Sequence, residues 1–475
     1  MNKDLFIIIT GRIFQIVIML VSIRLVTTYL SPKEVGNYYI ILATLAFFNL
    51  VLLNPPGMYF SRHLLQWKKS KNLTNALFVF FIWILLVSVI AIPVSIFMYY
   101  ELNYTDKFSL LLFVFYIISA IIVSTVHRNV LYGSNTLGFR KEFVKYLIIT
   151  LIIGLSISIF IVNAYQKTAL YWLFGVIISE LIMLYFILQF FIQNNKLNLN
   201  KIKNTLSKDK IKKILAFSLP IGLTTFLMWG QNTAYRFIVD YQYSIEILGY
   251  IAIGLGIATS VFSSIESISM QYFNPIFLKK ILNVSKEKRA EVWNDIAKQI
   301  VPIYILAVFF TISMSEVLIN ILVDHKFHDS YLYTMIGVGI EFFRVMTNLL
   351  NNVSQSEYKT TSTIKPYLIG FIVSLGVLSS IDFGTNYFMI PITLAFSFCL
   401  VYIYMYMQMK KILDIKYDIN FLKIVLLAIP FSLVYFINIE KENMIQNLFL
   451  LVCFGLYFLY TIWTTIKESK REIKR

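Results

Sequence analysis

Acidic charge is what this sequence has least of. Its 475 residues include 25 Asp and Glu against 42 Lys and Arg, and charged residues of both signs make up only 14% of the chain. Soluble domains carry about 25% charged residues and about half apolar ones. Here apolar residues reach 58% and the mean hydropathy is +0.72 over the whole length. That excludes a soluble globular chain and makes this an all-α polytopic membrane protein. Cysteine is nearly absent: Cys399 and Cys453 lie in separate apolar runs and form no CxxC, so neither a disulfide framework nor a thiolate metal site is expected. Histidine is equally thin. Asp324-His325-Lys326-Phe327-His328-Asp329 has superficially ligand-like spacing, but it occupies a short loop without Cys or a third clear ligand. No Gly-rich phosphate loop, metalloprotease motif or nucleophile elbow occurs. No catalytic residue, metal or cofactor is expected, and the chain does not read as an enzyme.

What is present is apolar sequence in span-sized pieces. About 20 residues cross a hydrocarbon core, with roughly 17 to 25 tolerated, and fourteen stretches meet or approach that length. They are 5–30, 37–54, 76–99, 108–127, 144–163, 168–192, 214–239, 247–270, 298–323, 331–353, 366–383, 387–408, 420–438 and 444–466. The eleventh and thirteenth carry the weakest signal. The first run is too long for a signal-peptide core, contains Arg12 and Arg24 and lacks a small-x-small cleavage site, so it is expected to remain as a helix.

Sorting the basic residues by loop orients the chain. Alternate segments (the N-terminus, 55–75, 128–146, 193–213, 271–292, 354–365, 409–423 and the C-terminus) hold 32 of the 42 Lys and Arg residues, and the opposite loops hold five. The positive-inside rule makes the rich set cytoplasmic, with both termini inside and an even helix count. The same bias accounts for most of the net charge of +17 and requires no nucleic-acid partner. Anionic membrane lipids are the expected contact of the basic loops.

The first and seventh runs echo each other. Arg24 is followed by Ser31-Pro32-Lys33-Glu34-Val35-Gly36-Asn37-Tyr38, and Arg236 by Ser244-Ile245-Glu246-Ile247-Leu248-Gly249-Tyr250, about 212 residues later. A duplicated helix-turn-helix start implies two six-helix parallel repeats. The expected organisation is 1–193 for the first half, 194–213 for a lysine-rich linker, 214–414 for the second half and 415–475 for two extra helices with a basic tail.

Ionisable and amide side chains inside spans are costly and mark candidate sites. Helix ten carries Glu341, Arg344, Asn348, Asn351 or Asn352, and Gln355 at spacings of three and four, one continuous polar face with Glu341 and Arg344 placed to pair. Helix seven repeats the pattern with Thr225, Trp229, Asn232, Arg236 and Asp240, where Asp240 lies four residues from Arg236. Helix eight adds Ser260, Ser263 or Ser264, Ser267 and Gln271 with Glu266 adjacent, helix six the isolated Glu180, and helix one Arg12 and Arg24. The arginines, Trp229, Asn232, Asn348, Asn352 and Gln355 are candidate substrate contacts. Glu180, Asp240, Glu266 and Glu341 are candidate ion-coupling groups. Pro220-Ile221-Gly222 and Pro302 are expected to bend or unwind helix starts.

The stretch Arg24-Leu25-Val26-Thr27-Thr28-Tyr29-Leu30-Ser31-Pro32-Lys33-Glu34-Val35-Gly36-Asn37-Tyr38-Tyr39, followed by an apolar helix ending near Asn54-Pro55-Pro56-Gly57, resembles the opening of Wzx-type polysaccharide flippases. Phe217-Ser218-Leu219-Pro220, Tyr235-Arg236-Phe237-Ile238 and Gly249-Tyr250 resemble that family's second repeat, where an acid often replaces Tyr235. The family belongs to the multidrug/oligosaccharidyl-lipid/polysaccharide (MOP) superfamily. The resemblance implies a V-shaped, two-lobed inner-membrane transporter. Its substrate would be an undecaprenyl-pyrophosphate-linked oligosaccharide (O-antigen, capsule or a related unit of bacterial polysaccharide biosynthesis), moved to the outer leaflet by alternating access, with a polymerase or assembly protein as a partner. Trp229 and Tyr235 would stack on sugars, and the extra helices would border a groove for the lipid. The alternatives are a multidrug or cation antiporter of the same superfamily and a membrane polysaccharide polymerase or ligase.

Overall fold

In the computed structural model, which describes residues 3–195, 197, 208–281, 284–357 and 359–474, all regular structure among the described residues is helical. Within hydrocarbon a segment must satisfy its own N–H and C=O groups, which a helix does and a lone strand does not. The helices are α1 (Lys3–Tyr29), α2 (Pro32–Phe47), α3 (Asn54–Lys69), α4 (Leu73–Glu101), α5 (Leu110–Thr136), α6 (Arg140–Ala164), α7 (Ala169–Asn195), α8 (Lys208–Trp229) and α9 (Tyr235–Gln242). They continue with α10 (Ile245–Lys280), α11 (Lys286–Ser313), α12 (Ser315–Leu322), α13 (Tyr331–Ser356), α14 (Ile364–Ser380), α15 (Met389–Ile412), α16 (Phe421–Ala428) and α17 (Met444–Lys474). Two π-turns, Phe48–Leu53 and Gly230–Ala234, join α2 to α3 and α8 to α9.

Among the described residues, twelve helices are long and apolar enough to cross a membrane. The two remaining runs of the expected fourteen differ for separate reasons. Helix α13 has the length, but its polar face lowers its hydropathy. The run Phe421–Phe436 is apolar but has only 16 residues, the last eight of them 3₁₀. Because a 3₁₀ turn rises about 2.0 Å per residue against 1.5 Å, that run still extends about 28 Å, close to the thickness of a hydrocarbon core.

The chain divides into two compact units. The first comprises Met1–Trp229 and Val239–Glu246, so that α8 belongs to it. Its tightest seam is α6 against α7, built from small residues. A Cβ on Gly175 would overlap the Ser158 backbone, Ser158 donates to the Trp172 carbonyl at 2.7 Å, and Ser179 donates to the Thr150 carbonyl at 2.7 Å. Such seams let backbones approach where apolar side chains gain nothing over lipid. At the other end of α7, Phe191, Ile187 and Met183 bury themselves among Leu64, Leu73, Val130 and Phe143. Helix α2 begins as its sequence dictates: Ser31 caps it by accepting from the Glu34 N–H at 3.3 Å, Pro32 occupies the first turn, and Glu34 accepts from the Ala169 N–H at 2.7 Å, tying α2 to α7. Gly36 is required because a Cβ there would strike the Ile245 carbonyl. The two echoing starts, Ser31 to Gly36 and Ser244 to Glu246, thus meet within this unit.

The second unit comprises Gly230–Ile238 and Ile247–Arg475. Its spine is α11, of whose apolar stretch 78% is buried, packed by α13, α16 and α17. Phe310 stacks on Phe458 with centroids 4.7 Å apart, and Arg289 at the start of α11 forks onto Glu357 after α13 at 2.6 and 3.0 Å. The expected unwinding at Pro220 and Pro302 does not occur, since α8 and α11 run through both prolines. One missing N–H removes a single rung, and the neighbouring turns hold the helix. The interruption comes instead at the π-turn Gly230–Ala234.

Candidate functional site

Helices α10 and α13 carry the densest polar constellation of the second unit. Arg344 lies at its centre, donating from Nε to Glu341 at 2.7 Å and from Nη1 to Glu266 at 2.8 Å. The i, i+3 pair expected along α13 is therefore present, and the partner from α10 is an addition. The acids are themselves held: Thr259 donates to Glu341 at 2.8 Å, and Asn348 donates to Glu266 at 2.8 Å. Side-chain exposures of 21% for Arg344, 16% for Glu266 and 7% for Glu341 place the group largely out of solvent. With one guanidinium and two carboxylates, the cluster carries a formal charge of −1 when all three are ionised. Its geometry can hold a charge on α13 without water, and one carboxylate can be released only by exchange for another anion or by protonation.

The rest of the α13 stripe spreads out along the helix. Asn352 faces Met270 with Nδ2 at 3.9 Å from the sulfur, Gln355 is exposed, and Asn351 turns back to accept from Ser354 at 2.7 Å. Gln231, in the π-turn before α9, is fully buried and donates to Ser397 at 3.0 Å, which donates to the Gly370 carbonyl at 2.9 Å. Beside it, Asn232 is half-buried. Arg236 lies over the Tyr235 ring at 5.8 Å. Tyr235 itself is 2% exposed, so its ring is packing and cannot stack on a sugar from solvent.

The first unit holds its polar groups differently. Glu180 on α7 accepts from Ser124 on α5. One turn further along α5, Arg128 donates from Nη2 to Asn49 Oδ1 in the first π-turn at 2.7 Å. Because the apolar run ends at His127, the sequence places Arg128 in a basic loop, but α5 continues to Thr136. Asp240, expected to pair along its own helix with Arg236, takes Lys107 from the connection between α4 and α5, whose Nζ lies 2.6 Å from both carboxylate oxygens. Trp229 donates to the Ala43 carbonyl at 3.0 Å and meets Phe47 edge-on at 5.1 Å, locking the end of α8 to α2. Arg12 donates to Gln15 at 2.7 Å, and the Arg24 carbonyl accepts from Thr27 and Thr28. The structure thus joins Glu266, Glu341, Arg344 and Asn348 in one cluster. Glu180 and Asp240 lie apart from it, in the other unit.

These geometries sit on a fold that solved transporters share. At the level of sequence the chain matches no protein-family model and no curated protein. At the level of structure it is similar to the lipid II flippase MurJ in an inward closed conformation, with a TM-score of 0.67 and 14% identity over 100% of both chains. It is also similar to an inward-facing multidrug resistance MATE transporter of the MOP superfamily, with a TM-score of 0.56, 11% identity and coverage of 85% of this chain and 95% of that one. A eukaryotic MATE transporter aligns with a TM-score of 0.51 at 10% identity, over 90% of this chain and 94% of that one. The chain thus shares its all-helical fold with these solved transporters, as a multi-pass membrane protein.

Proposed function

We propose that the chain is a flippase for polyprenyl-pyrophosphate-linked oligosaccharide, of the Wzx kind that its opening stretch resembles, working by alternating access in the bacterial inner membrane. The observation that carries this reading is coverage. The MurJ fold spans the whole chain, including the segment from 415 onward, whereas the two MATE transporters above cover 85% and 90% of it. In this reading 1–193 and 214–414 are the two lobes, joined by the basic linker 194–213, much of which lies outside the described residues, and the segment 415–475 borders the lipid. The 32-to-5 loop asymmetry supports cytoplasmic termini. Asn348, Asn352, Gln355 and Asn232 supply amide contacts for sugar hydroxyls, Trp229 an apolar ring, and Arg12, Arg24 and Arg236 the cationic field for pyrophosphate or acidic sugars, which Arg344 joins when Glu266 or Glu341 is protonated or displaced by the substrate anion. Anionic lipids and a polymerase or assembly protein are its partners.

The decisive experiment is a reconstituted flipping assay with a fluorescent polyprenyl-pyrophosphate glycan in vesicles of purified protein. Transfer across the bilayer supports the reading, and transfer equal to that of protein-free vesicles overturns it. A second reading, the multidrug or cation antiporter, is favoured by the Glu266 and Glu341 carboxylates and by the MATE fold. It requires counter-ion-driven uptake of a cationic dye in the same vesicles. On the flippase reading Glu180, Asp240, Glu266 and Glu341 are the acids available for ion coupling.

A further inference from the structure

The geometry points to Arg128 as an anchor for the phosphate oxygens of a polyprenyl-linked substrate, held ready by Asn49 in the π-turn of the second span; this rests on the flippase reading above. Three observations carry it. The first is charge. Arg344 is held between two carboxylates, whereas the partner of Arg128 is the neutral amide of Asn49, and no carboxylate makes an ion pair with Arg128 among the described residues. One of the five guanidinium N–H donors goes to that amide; the Glu180 carboxylate acts on Arg128 only through space, being bonded to Ser124, so the other donors are not taken up by a carboxylate. A guanidinium at a helix end with donors not taken up by a carboxylate is open to the oxygens of an anionic ligand.

The second observation is position. Counting at 100° per residue, Arg128 lies roughly 100° around α5 from Leu111 and roughly 140° from Phe115, an apolar stripe 78% and 58% exposed. It shares its face with Ser124, which reaches to Glu180 on α7. Helix α5 is packed by α2, α3, α4, α6 and α7, so Arg128 is exposed on the side turned toward the polar groups of its unit. It lies 18 residues from the start of α5, about 27 Å along the helix. In the proposed orientation that is the depth of the inner headgroups, where the pyrophosphate of a lipid-linked glycan sits before transport.

The third is the support behind Asn49. The Asn54 N–H bonds to the Asn49 carbonyl five residues back, Trp83 of α4 donates to the Leu52 carbonyl at 2.9 Å, and a Cβ on Gly222 of α8 would lie 3.4 Å from the Val51 carbonyl. A π-turn inserts one residue, offsetting the helix face beyond it by about 100°, and such turns concentrate at functional sites. This one is braced from two helices and presents an amide oxygen to the guanidinium. Asn49 is a positioning residue: it fixes the fork and leaves the remaining donors for phosphate oxygens.

The test uses the full chain in nanodiscs and a sugar-free polyprenyl pyrophosphate as probe, with bound phospholipid counted by native mass spectrometry. Arg128→Gln is expected to weaken probe binding about ten- to a hundredfold, while Arg128→Lys, which keeps the charge but loses the fork, stays within about tenfold of wild type. Asn49→Asp supplies the missing anion and is expected to weaken binding with the protein folded, which keeps the idea testable should Arg128→Gln fail to fold. Wild-type affinity in Arg128→Gln or in Asn49→Asp overturns the inference while leaving the flippase reading intact. Loss of one bound phospholipid in Arg128→Gln with probe affinity unchanged assigns the anion to a headgroup and overturns it too. A wild-type protein that ignores the probe overturns the flippase reading itself.

Discussion

The two units solve the same problem, charge in a membrane-embedded protein, in opposite ways. In the second, Arg344, Glu266 and Glu341 neutralise one another at 2.7 and 2.8 Å and use Thr259 and Asn348 for the remaining valences. In the first, Ser124 and Arg128 lie one turn apart on α5, and Glu180 and Arg128 are each bonded to a neutral group, Ser124 and Asn49. A closed ion cluster is rigid and intolerant of losing one member. A pair held apart by hydroxyl and amide costs more to keep but stays available to an external ligand or proton. The second unit therefore reads as a locked element and the first as the responsive one.

That comparison breaks most sharply at Arg344. Arg344→Met leaves two carboxylates without their cation, and removing one member of a buried pair costs about 3–5 kcal/mol. A large fall in apparent Tm and in membrane yield is expected. Replacing Glu266, Glu341 and Arg344 together by Gln should recover most of the loss, because no charge is then left unanswered. Replacing only Glu341 and Arg344 should recover less, since Glu266 remains. Recovery by the double variant equal to that of the triple would remove Glu266 from the cluster.

A smaller effect is expected at the Lys107 to Asp240 pair, whose side chains are 16% and 5% exposed. Asp240→Asn strips a charge-assisted bond of about 1.5–3 kcal/mol, lowering apparent Tm by a moderate amount. Lys107→Met on that background should add little, and additive losses would show that each residue is held by something else. At Glu180 the expected change is smaller again. Glu180→Gln keeps an acceptor for Ser124 at nearly the same volume, so Tm should move by the equivalent of about 1 kcal/mol or less, while ion-driven transport falls if Glu180 carries the proton. A Tm loss matching that of Arg344→Met would make the first unit as locked as the second. The mildest substitutions test orientation. With Cys399 and Cys453 replaced by Ser, Ser70→Cys and Asn103→Cys sit exposed at opposite ends of α4. Thiol reagents confined to the outside should reach Cys at 103 and not at 70, with wild-type stability in both.

How much of this was legible beforehand depended on whether partners were close in sequence. The Glu341 to Arg344 bond was visible because three residues on a helix are neighbours in space by geometry alone. The Glu266 contact, 78 residues away, and the Lys107 contact, 133 residues away, were not. Arg128 was hidden by a different cause. Hydropathy ends a span where apolar residues stop, but α5 continues nine residues beyond His127 because its last turns pack on α3, α6 and α7. The π-turn at Phe48–Leu53 falls in Phe-Asn-Leu-Val-Leu-Leu, with no glycine or proline inside it to announce a break.

The sequence by itself determined the solvent, the helical class and the placing of the membrane runs, because the cost of burying a peptide group in hydrocarbon leaves a chain of such composition little choice. It also determined the start of α2, where Ser31, Pro32 and Glu34 act over a single turn. Only the tertiary structure decided which acid answers which base, that Tyr235 is core while Arg128 is exposed, and that α8 packs within the first unit. Those outcomes depend on contacts between helices whose side chains are interchangeable by hydropathy. In lipid, steric fit and interhelical hydrogen bonds select among them, and neither can be read from one helix alone.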